Sequence, residues 1–422
     1  MSKIYEKDRL YEILHPVVNR LIKNSYSRYQ VCGLEKLPED GAVIIAPNHC
    51  NTLMDALVVL CSRRERTVFG ARADIFNNKT VGKLMTFFKI LPMVRKRDGL
   101  RNVAKNRDSF DQVIETLENG VKFCVFCEGR HRPMHSLLPV NKGIIRIALE
   151  ANGKFGDRKP VYIVPSGIEY GDYFRFKTTA LLRHGEPINV SEYVREHAGE
   201  NEADIYRGLM TLLHERISEL ITYIPDDEKY APRWTLTRIL AKREGSLEQR
   251  LLNNREAVDR IMGADEGLLE RASRFEGKRL RAKVSFKSFG HNHPGLRLIG
   301  RSIAALLFLP VFLFAAIASL PMWSIALGVT SGMKDKAFRN TGRFGVYLVM
   351  FPIMVAVWTA LFFALLKWFI ALPLFLLACV SHGTYYCGIE FFRVLASDFR
   401  LAFNRDLASE YDSLKAEADR TL

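Results

Sequence analysis

Two long stretches without charge decide the solvent in which the C-terminal part of this chain folds. Residues from Ser302 to Val329 carry no charge, and from Phe344 to Val380 the only charged residue is Lys367. Since about 20 apolar residues span the hydrocarbon core of a bilayer, both stretches predict membrane segments. Pro310 and Pro321 favour a kinked first segment that enters and returns, and Lys367 favours two spans in the second. An arrangement of three plain spans is the alternative.

Basic residues flank these segments. From Gly277 to Arg301 there are seven basic residues and no acid, and the loop from Thr330 to Arg343 carries four basic residues against Asp335. The positive-inside rule places both regions on the cytoplasmic side. The net charge of +15 predicts an anionic partner, which could be a phospholipid surface, a phosphorylated substrate or nucleic acid. Nucleic acid is disfavoured, because this basic region adjoins a membrane segment and no recognised binding module is visible.

The part of the chain before residue 226 alternates short apolar runs with helical patterns, which is typical of a layered α/β domain. The predicted strands are Ala42–Ala46, Thr67–Gly70, Val121–Phe126 and Val161–Ile168, and the predicted helices lie near Leu53–Ser62, Val103–Glu118 and Ile144–Ala151. We therefore predict a mixed sheet flanked by helices over residues 30–225. A charged helical connector at 226–297, a transmembrane or hairpin region at 298–388 and a cytosolic tail at 389–422 follow.

The first 29 residues form a basic amphipathic helical pattern with no secretory signal. Two interpretations are equally open: the helix lies on a membrane surface, or it packs on the domain behind it. The seven cysteines are odd in number and widely spread, which favours thiols in a reducing compartment. Cys124 and Cys127 fall on a predicted strand and point to opposite faces, so we interpret them as buried thiols and not as metal ligands.

A polar cluster follows the first predicted strand. His49 stands between this strand and a helix, at the carboxyl end of the strand, where open α/β sheets place their sites. A neutral histidine there can act as a general base if a carboxylate holds its other ring nitrogen, and Asp55 is the nearest candidate. Thr52 to Asp55 also has the spacing of a helix capping box, so a purely structural role for Asp55 is equally open on this stretch alone.

Three further features come at intervals along the chain. Arg95, Lys96 and Arg97 form a cluster that can bind a phosphate through paired hydrogen bonds. Glu128, Gly129, Arg130 and Arg132 follow the Val121 strand, where the glycine would let the backbone approach a ligand and an arginine would meet an anion. An apolar strand ending at Pro165 completes the series.

In this order, the features resemble the four blocks of the glycerol-phosphate and lysophosphatidic acid acyltransferases, over roughly residues 30–190. Asn48-His49 with Asp55 resembles the first block, Arg95 to Arg97 the second, Phe126 to Arg130 with Lys142-Gly143 the third, and Val164-Pro165 the fourth. Three departures are visible. Five residues and not four separate the histidine from the aspartate, Cys127 replaces a proline, and Arg130 follows Gly129 directly, so Arg130 or Arg132 is the counterpart of the family arginine.

The resemblance implies direct acyl transfer from acyl-CoA or acyl-carrier protein to a hydroxyl of glycerol 3-phosphate or 1-acylglycerol 3-phosphate. His49 would be the base and Asp55 its partner; Arg95, Arg97, Glu128, Gly129 and Arg130 would bind substrate. No cofactor and no metal are expected, and the site would face the cytosol beside a phospholipid membrane. The alternative is a membrane scaffold or transport component that carries a catalytically silent domain of this type.

Overall fold

The computed structural model describes residues 3–93 and 103–422. Arg95 and Arg97, which the sequence predicts to bind substrate, lie outside the described residues. The chain divides into two compact units. The first comprises Met1–Lys23, Tyr29–Tyr173 and Ala180–Ile221, and the second comprises Asn24–Arg28, Phe174–Thr179 and Thr222–Leu422.

A mixed eight-stranded sheet, counted over the described residues, forms the centre of the first unit. Its strands are β1 (Arg28–Cys32), β2 (Ala42–Pro47), β3 (Thr67–Arg72), β4 (Ile90–Met93), β5 (Lys122–Cys124), β6 (Val161–Tyr170), β7 (Thr179–His184) and β8 (Ile188–Asn189). They are ordered β1-β7-β6-β2-β5-β3-β4, with β8 also pairing β6. The strands from β6 to β4 in this order run parallel, and β7 and β8 pair antiparallel with β6.

Helices of the first unit flank this sheet. They are α1 (Arg9–Asn24), α2 (Thr52–Leu60), α3 (Lys79–Phe87), α4 (Val103–Glu118), α5 (Lys142–Phe155), α6 (Val190–Glu196) and α7 (Glu202–Ser218). Every residue of β2 is buried, as expected for a parallel strand covered on both faces. The predicted α/β class is confirmed, and the four predicted strands and three predicted helices all form. The strands β1, β4, β7 and β8 were not predicted. β4 and β8, with four and two residues, are too short for a clear period.

One face of helix α1 is packed on the domain behind it, and its placement on a membrane surface stays a prediction. Tyr11, His15 and Ile22 are buried on one face of the helix. Ile13 and Val17, by contrast, remain 69% and 55% exposed. The helix is therefore packed on one side and unpartnered on the other.

The second unit begins with the charged helices α8 (Tyr230–Leu240), α9 (Leu247–Ile261) and α10 (Glu266–Arg281). They share one hydrophobic core with the last helix of the chain, which runs from Arg405 to Thr421. Phe275 on α10 lies at the centre of this core, with its ring 6.0 Å from that of Tyr411. The connector and the tail predicted as separate segments are thus packed together, while the predicted domain boundaries stay a prediction.

The uncharged stretches form long helices. These are α11 (Pro294–Ala318), α12 (Leu320–Ser331), α13 (Lys336–Leu365) and α14 (Trp368–Ala402), followed by the last helix, α15. Within the described part of the chain, α11, α13 and α14 are long and apolar enough to cross a membrane, and α12 is a shorter apolar helix. Lys367 lies between α13 and α14, where the sequence predicts a turn. The first stretch is likewise broken, at Ser319, because Pro321 starts a new helix.

Candidate active site

His49 lies two residues beyond the end of β2, at the carboxyl edge of the parallel strands. The preceding Asn48 is buried and fixes this turn to β6, because its side-chain amide donates to the Ile168 carbonyl at 3.2 Å and its oxygen accepts from the Ile168 amide at 2.6 Å. The amide of Arg132 donates to the His49 carbonyl at 3.0 Å. The backbone that carries His49 is therefore held by strand β6 and by the loop that contains Arg132.

The imidazole of His49 and the carboxylate of Asp55 form a close pair. Nδ1 of His49 lies 2.7 Å from Oδ2 of Asp55, whose side chain is fully buried, whereas the histidine side chain is 17% exposed. Since an ionised carboxylate only accepts hydrogen bonds, Nδ1 carries the proton in the neutral imidazole. The lone pair of the neutral ring is then on Nε2, which is the arrangement that a general base requires.

The carboxylate of Asp55 also serves the start of α2. Oδ2 accepts from the amides of Cys50 at 2.8 Å and Asn51 at 2.7 Å, and Asn51 is the N-cap residue of the helix. The capping interpretation and the histidine partnership are thus combined in one side chain. Thr52 makes this possible by adopting a left-handed φ of 48°, which folds the chain back between His49 and Asp55.

Tyr170 supplies a fourth strong donor to Asp55. Its hydroxyl donates to Oδ1 of Asp55 at 2.8 Å from the last residue of β6, and its side chain is buried. Tyr170 was not predicted from the sequence, because only strand pairing brings it to a residue so distant along the chain. A signal was nevertheless present, since Tyr170 is a polar aromatic residue two positions after the predicted strand Val161–Ile168.

Glu128 fixes two loops through backbone amides. Its Oε1 accepts from the amide of His49 at 2.6 Å, and its Oε2 accepts from the amide of Leu138 at 2.9 Å. Burial raises the pKa of the Glu128 carboxyl, and the two amide hydrogen bonds partly offset this. The carboxylate therefore positions His49, while its predicted contact with substrate stays a prediction.

Gly129 occupies a conformation that disfavours side chains. Its φ is +68°, and a Cβ there would lie 3.2 Å from the side-chain nitrogen of Asn141, which is the N-cap of α5. Of the two candidate arginines after it, Arg130 is exposed, whereas Arg132 is half-buried with one guanidinium nitrogen 3.5 Å from the Leu137 carbonyl. Arg130 is therefore accessible to solvent, and its predicted contact with substrate stays a prediction.

Aromatic rings enclose the imidazole of His49. Phe126 stacks on it with ring centroids 4.3 Å apart, and His131 approaches edge-on at 5.6 Å. The thiols of Cys50, Cys124 and Cys127 are buried nearby in the same sheet edge, and burial raises the pKa of each thiol. Cys124 and Cys127 are thus buried thiols, as the sequence predicts, and a raised pKa disfavours the reactive thiolate.

The family model described as Acyltransferase matches residues 28–169. Among curated proteins, the chain is 24% identical over 120 residues to an uncharacterized acyltransferase of Schizosaccharomyces pombe, covering 28% of this chain and 18% of that protein. It is 27% identical over 121 residues to glycerol-3-phosphate O-acyltransferase 2 of Saccharomyces cerevisiae, covering 29% of this chain and 16% of that protein. The matched segment thus spans less than a fifth of the length of these relatives.

A solved structure is also similar to this chain. It is the 1-acyl-sn-glycerophosphate acyltransferase PlsC of Thermotoga maritima, with 21% sequence identity and a TM-score of 0.36. The match covers 51% of this chain and 83% of that one.

Proposed function

Residues 28–169 form an acyltransferase-family domain, and from that premise we propose that the chain is a membrane-bound O-acyltransferase of phospholipid synthesis. It transfers a fatty acyl group from acyl-CoA or acyl-carrier protein to a hydroxyl of glycerol 3-phosphate or 1-acylglycerol 3-phosphate. The reaction takes place on the cytoplasmic side of the membrane, and His49 and Asp55 carry the chemistry. No resident cofactor is needed, because the acyl thioester itself is the activated group.

One observation carries the proposal: the Nδ1–Oδ2 distance of 2.7 Å between His49 and a fully buried Asp55. The acceptor hydroxyl gives its proton to Nε2 of His49 while its oxygen attacks the thioester carbonyl. Collapse of the tetrahedral intermediate breaks the C–S bond, and the imidazolium returns the proton to the thiolate that leaves. Asp55 stabilises the imidazolium that exists between these two proton transfers.

The exposed Arg130 near this edge suits a phosphorylated acceptor. Arg130 is exposed directly after the Gly129 turn, and we assign it with Arg95 and Arg97 to the acceptor phosphate. Holding the phosphate positions the hydroxyl and makes the attack effectively intramolecular. The apolar helices α11, α13 and α14 support a lipid product, since both a fatty acyl donor and an acylated acceptor partition into a bilayer.

The test uses the full chain in lipid nanodiscs. Each of the two acceptors is offered with acyl-CoA and with acyl-carrier protein, and acylated product is quantified by mass spectrometry. General-base catalysis contributes about 10²- to 10⁴-fold, so His49→Ala should lower turnover by at least that factor on the preferred pair. The pair with the highest kcat/KM identifies donor and acceptor.

His197→Ala is the matched control. His197 stacks on Tyr193 at the end of α6. Helix α6 directly follows β8, and β8 pairs with the amino-terminal end of β6. The control therefore lies away from His49, which is at the carboxyl ends of the strands. The control should retain the parental rate. Turnover that survives His49→Ala would refute the mechanism, and failure of all four substrate combinations would favour the scaffold or transport alternative.

A further inference from the structure

Helix α1 presents an apolar row to solvent. Leu10, Ile13, Leu14 and Val17 recur at helical spacing, and they are 57%, 69%, 39% and 55% exposed. This row is separate from the buried face that packs on the first unit. A soluble surface rarely maintains such a contiguous row, which indicates an apolar partner.

A basic groove of about 840 Å³ runs beside this row. One wall is α1 from Tyr11 to Lys23, and the other is the segment from Cys61 to Arg66 that precedes β3. Because β3 runs parallel to β5 and β5 to β2, this wall lies at the amino edge of the strands. His49 lies at the opposite, carboxyl edge, so the groove is not part of the candidate active site.

The groove carries excess positive charge. Arg63 pairs with Glu65, and Arg66 lies 3.7 Å from Glu12. Arg20, Lys23 and Arg64 also line it, and none of these three has an acidic partner in the described portion of the chain. An anion that enters the groove would therefore meet three uncompensated cations.

The apolar row and the groove adjoin along α1. Arg20, which lines the groove, follows Val17 by three residues and therefore neighbours the apolar row on the helix surface. Arg9, one turn before Ile13, extends the basic edge to the start of the helix. An apolar stripe with a cationic flank has the amphipathic form of helices that lie in a membrane interface.

We propose that α1 and the segment Cys61–Arg66 form a docking surface for an anionic phospholipid bilayer. Leu10, Ile13, Leu14 and Val17 enter the acyl boundary, and the cations of the groove bind the phosphates of anionic headgroups. The charge of the groove selects this occupant over a neutral apolar surface. The inference concerns a surface remote from His49 and does not rest on the proposed acyl transfer.

The experiment places a photoreactive benzoylphenylalanine at Val17 of the full chain. Nanodiscs of phosphatidylcholine, with or without phosphatidylglycerol, are irradiated, and covalent adducts are identified by mass spectrometry. The same probe at Glu150, which is exposed on α5, is the control position. We expect lipid adducts at Val17, more with phosphatidylglycerol than without it, and little adduct at Glu150.

The charge requirement is tested in the same discs. A basic residue near an anionic surface contributes about fivefold in binding, which corresponds to about 1 kcal/mol. Arg20→Gln combined with Arg64→Gln should therefore lower the adduct yield by about 25-fold where docking is unsaturated. Arg195→Gln, on an exposed cation of α6, should leave the yield unchanged. Thermal unfolding of each variant, expected to match the parent, checks that the fold is retained.

Three results would overturn the proposal. Equal adduct yields with and without phosphatidylglycerol would show that the surface does not recognise anionic headgroups. Equal yields at Val17 and Glu150 would indicate random contact of a tethered domain with the bilayer. Adducts at Val17 to protein and not to lipid would assign the surface to a second copy or to another protein.

Discussion

Replacing Tyr170 by phenylalanine tests whether the buried network around Asp55 serves catalysis. The substitution keeps the ring and removes only the hydroxyl that donates to Oδ1 at 2.8 Å. Oδ1 then retains the Cys50 thiol at 3.7 Å, a weak donor, while Oδ2 keeps its three donors. The lost interaction is thus a single charge-assisted hydrogen bond to a fully buried carboxylate.

The magnitude follows from the charge on the acceptor. A hydrogen bond to a charged group contributes about 1.5–3 kcal/mol, which is a ceiling of roughly 10- to 150-fold in rate. Because Asp55 keeps its bond to His49, we expect a fall in kcat nearer to tenfold, with KM almost unchanged. The tyrosine hydroxyl holds the carboxylate in place. Its loss therefore misaligns the imidazole during proton transfer, which lowers kcat and leaves substrate binding unchanged.

The assay is steady-state acyl transfer by the full chain in nanodiscs, measured across pH with the preferred substrate pair. Tyr173→Phe is the control, because the Tyr173 ring packs edge-on against Tyr170 with centroids 6.1 Å apart. That variant should keep the parental kcat and KM. A Tyr170→Phe protein with parental kcat would refute the positioning role, and a lower thermal midpoint with parental kcat would leave only a structural role.

Three stability predictions concern other parts of the chain, each measured by thermal unfolding in detergent. Gly129→Ala should destabilise by about 1–2 kcal/mol because of its left-handed φ, whereas Gly153→Ala, in open space on α5, should be neutral or slightly stabilising. Burial and the nearby Arg63 lower the pKa of Lys122 to about 8. Because the pKa of Lys122 is about 10.5 in the unfolded chain, the free energy of unfolding should rise with pH between about 8 and 10.5. Lys122→Met should abolish this rise. At pH 7 it should increase the free energy of unfolding by about 1–2 kcal/mol after allowance for solvent screening. Asp398→Ala should lower the free energy of unfolding by about 3–5 kcal/mol, because it removes the carboxylate that lies 2.8 Å from Arg301 on α11. Glu270 pairs with Arg274 on an exposed surface and serves as the control; Glu270→Ala should lower the free energy of unfolding by less than about 1 kcal/mol.

Much of the candidate site could be predicted from sequence because its parts follow strands. His49 after Ala42–Pro47 and Glu128 after Lys122–Cys124 come together because β2 and β5 are parallel neighbours. Their partners within the site could not be predicted. The backbone amide of His49 donates to the Glu128 carboxylate, which is distant along the chain, and this depends on the register between two strands.

The extra residue between His49 and Asp55 is visible in the sequence, but its structural consequence is not. The sequence raises the question of whether Asp55 caps α2 or serves the histidine, and both alternatives satisfy the local spacing. Tertiary structure decides that one carboxylate does both, because Thr52 turns the chain back through a left-handed φ and β6 brings Tyr170 to the second oxygen.

The sequence by itself determined the features that depend on neighbours along the chain: the membrane segments, the α/β alternation, the break at Lys367 and the placement of His49 at a strand end. Composition and the spacing of apolar residues are sufficient for these features, since the buried positions of a helix or strand recur at a regular interval along the chain. Tertiary structure alone decided which oxygen of Glu128 and of Asp55 meets which donor, and that α1 is packed on one face while the other is exposed. Such contacts join residues distant in sequence, and only the sheet order and register bring them within hydrogen-bond distance.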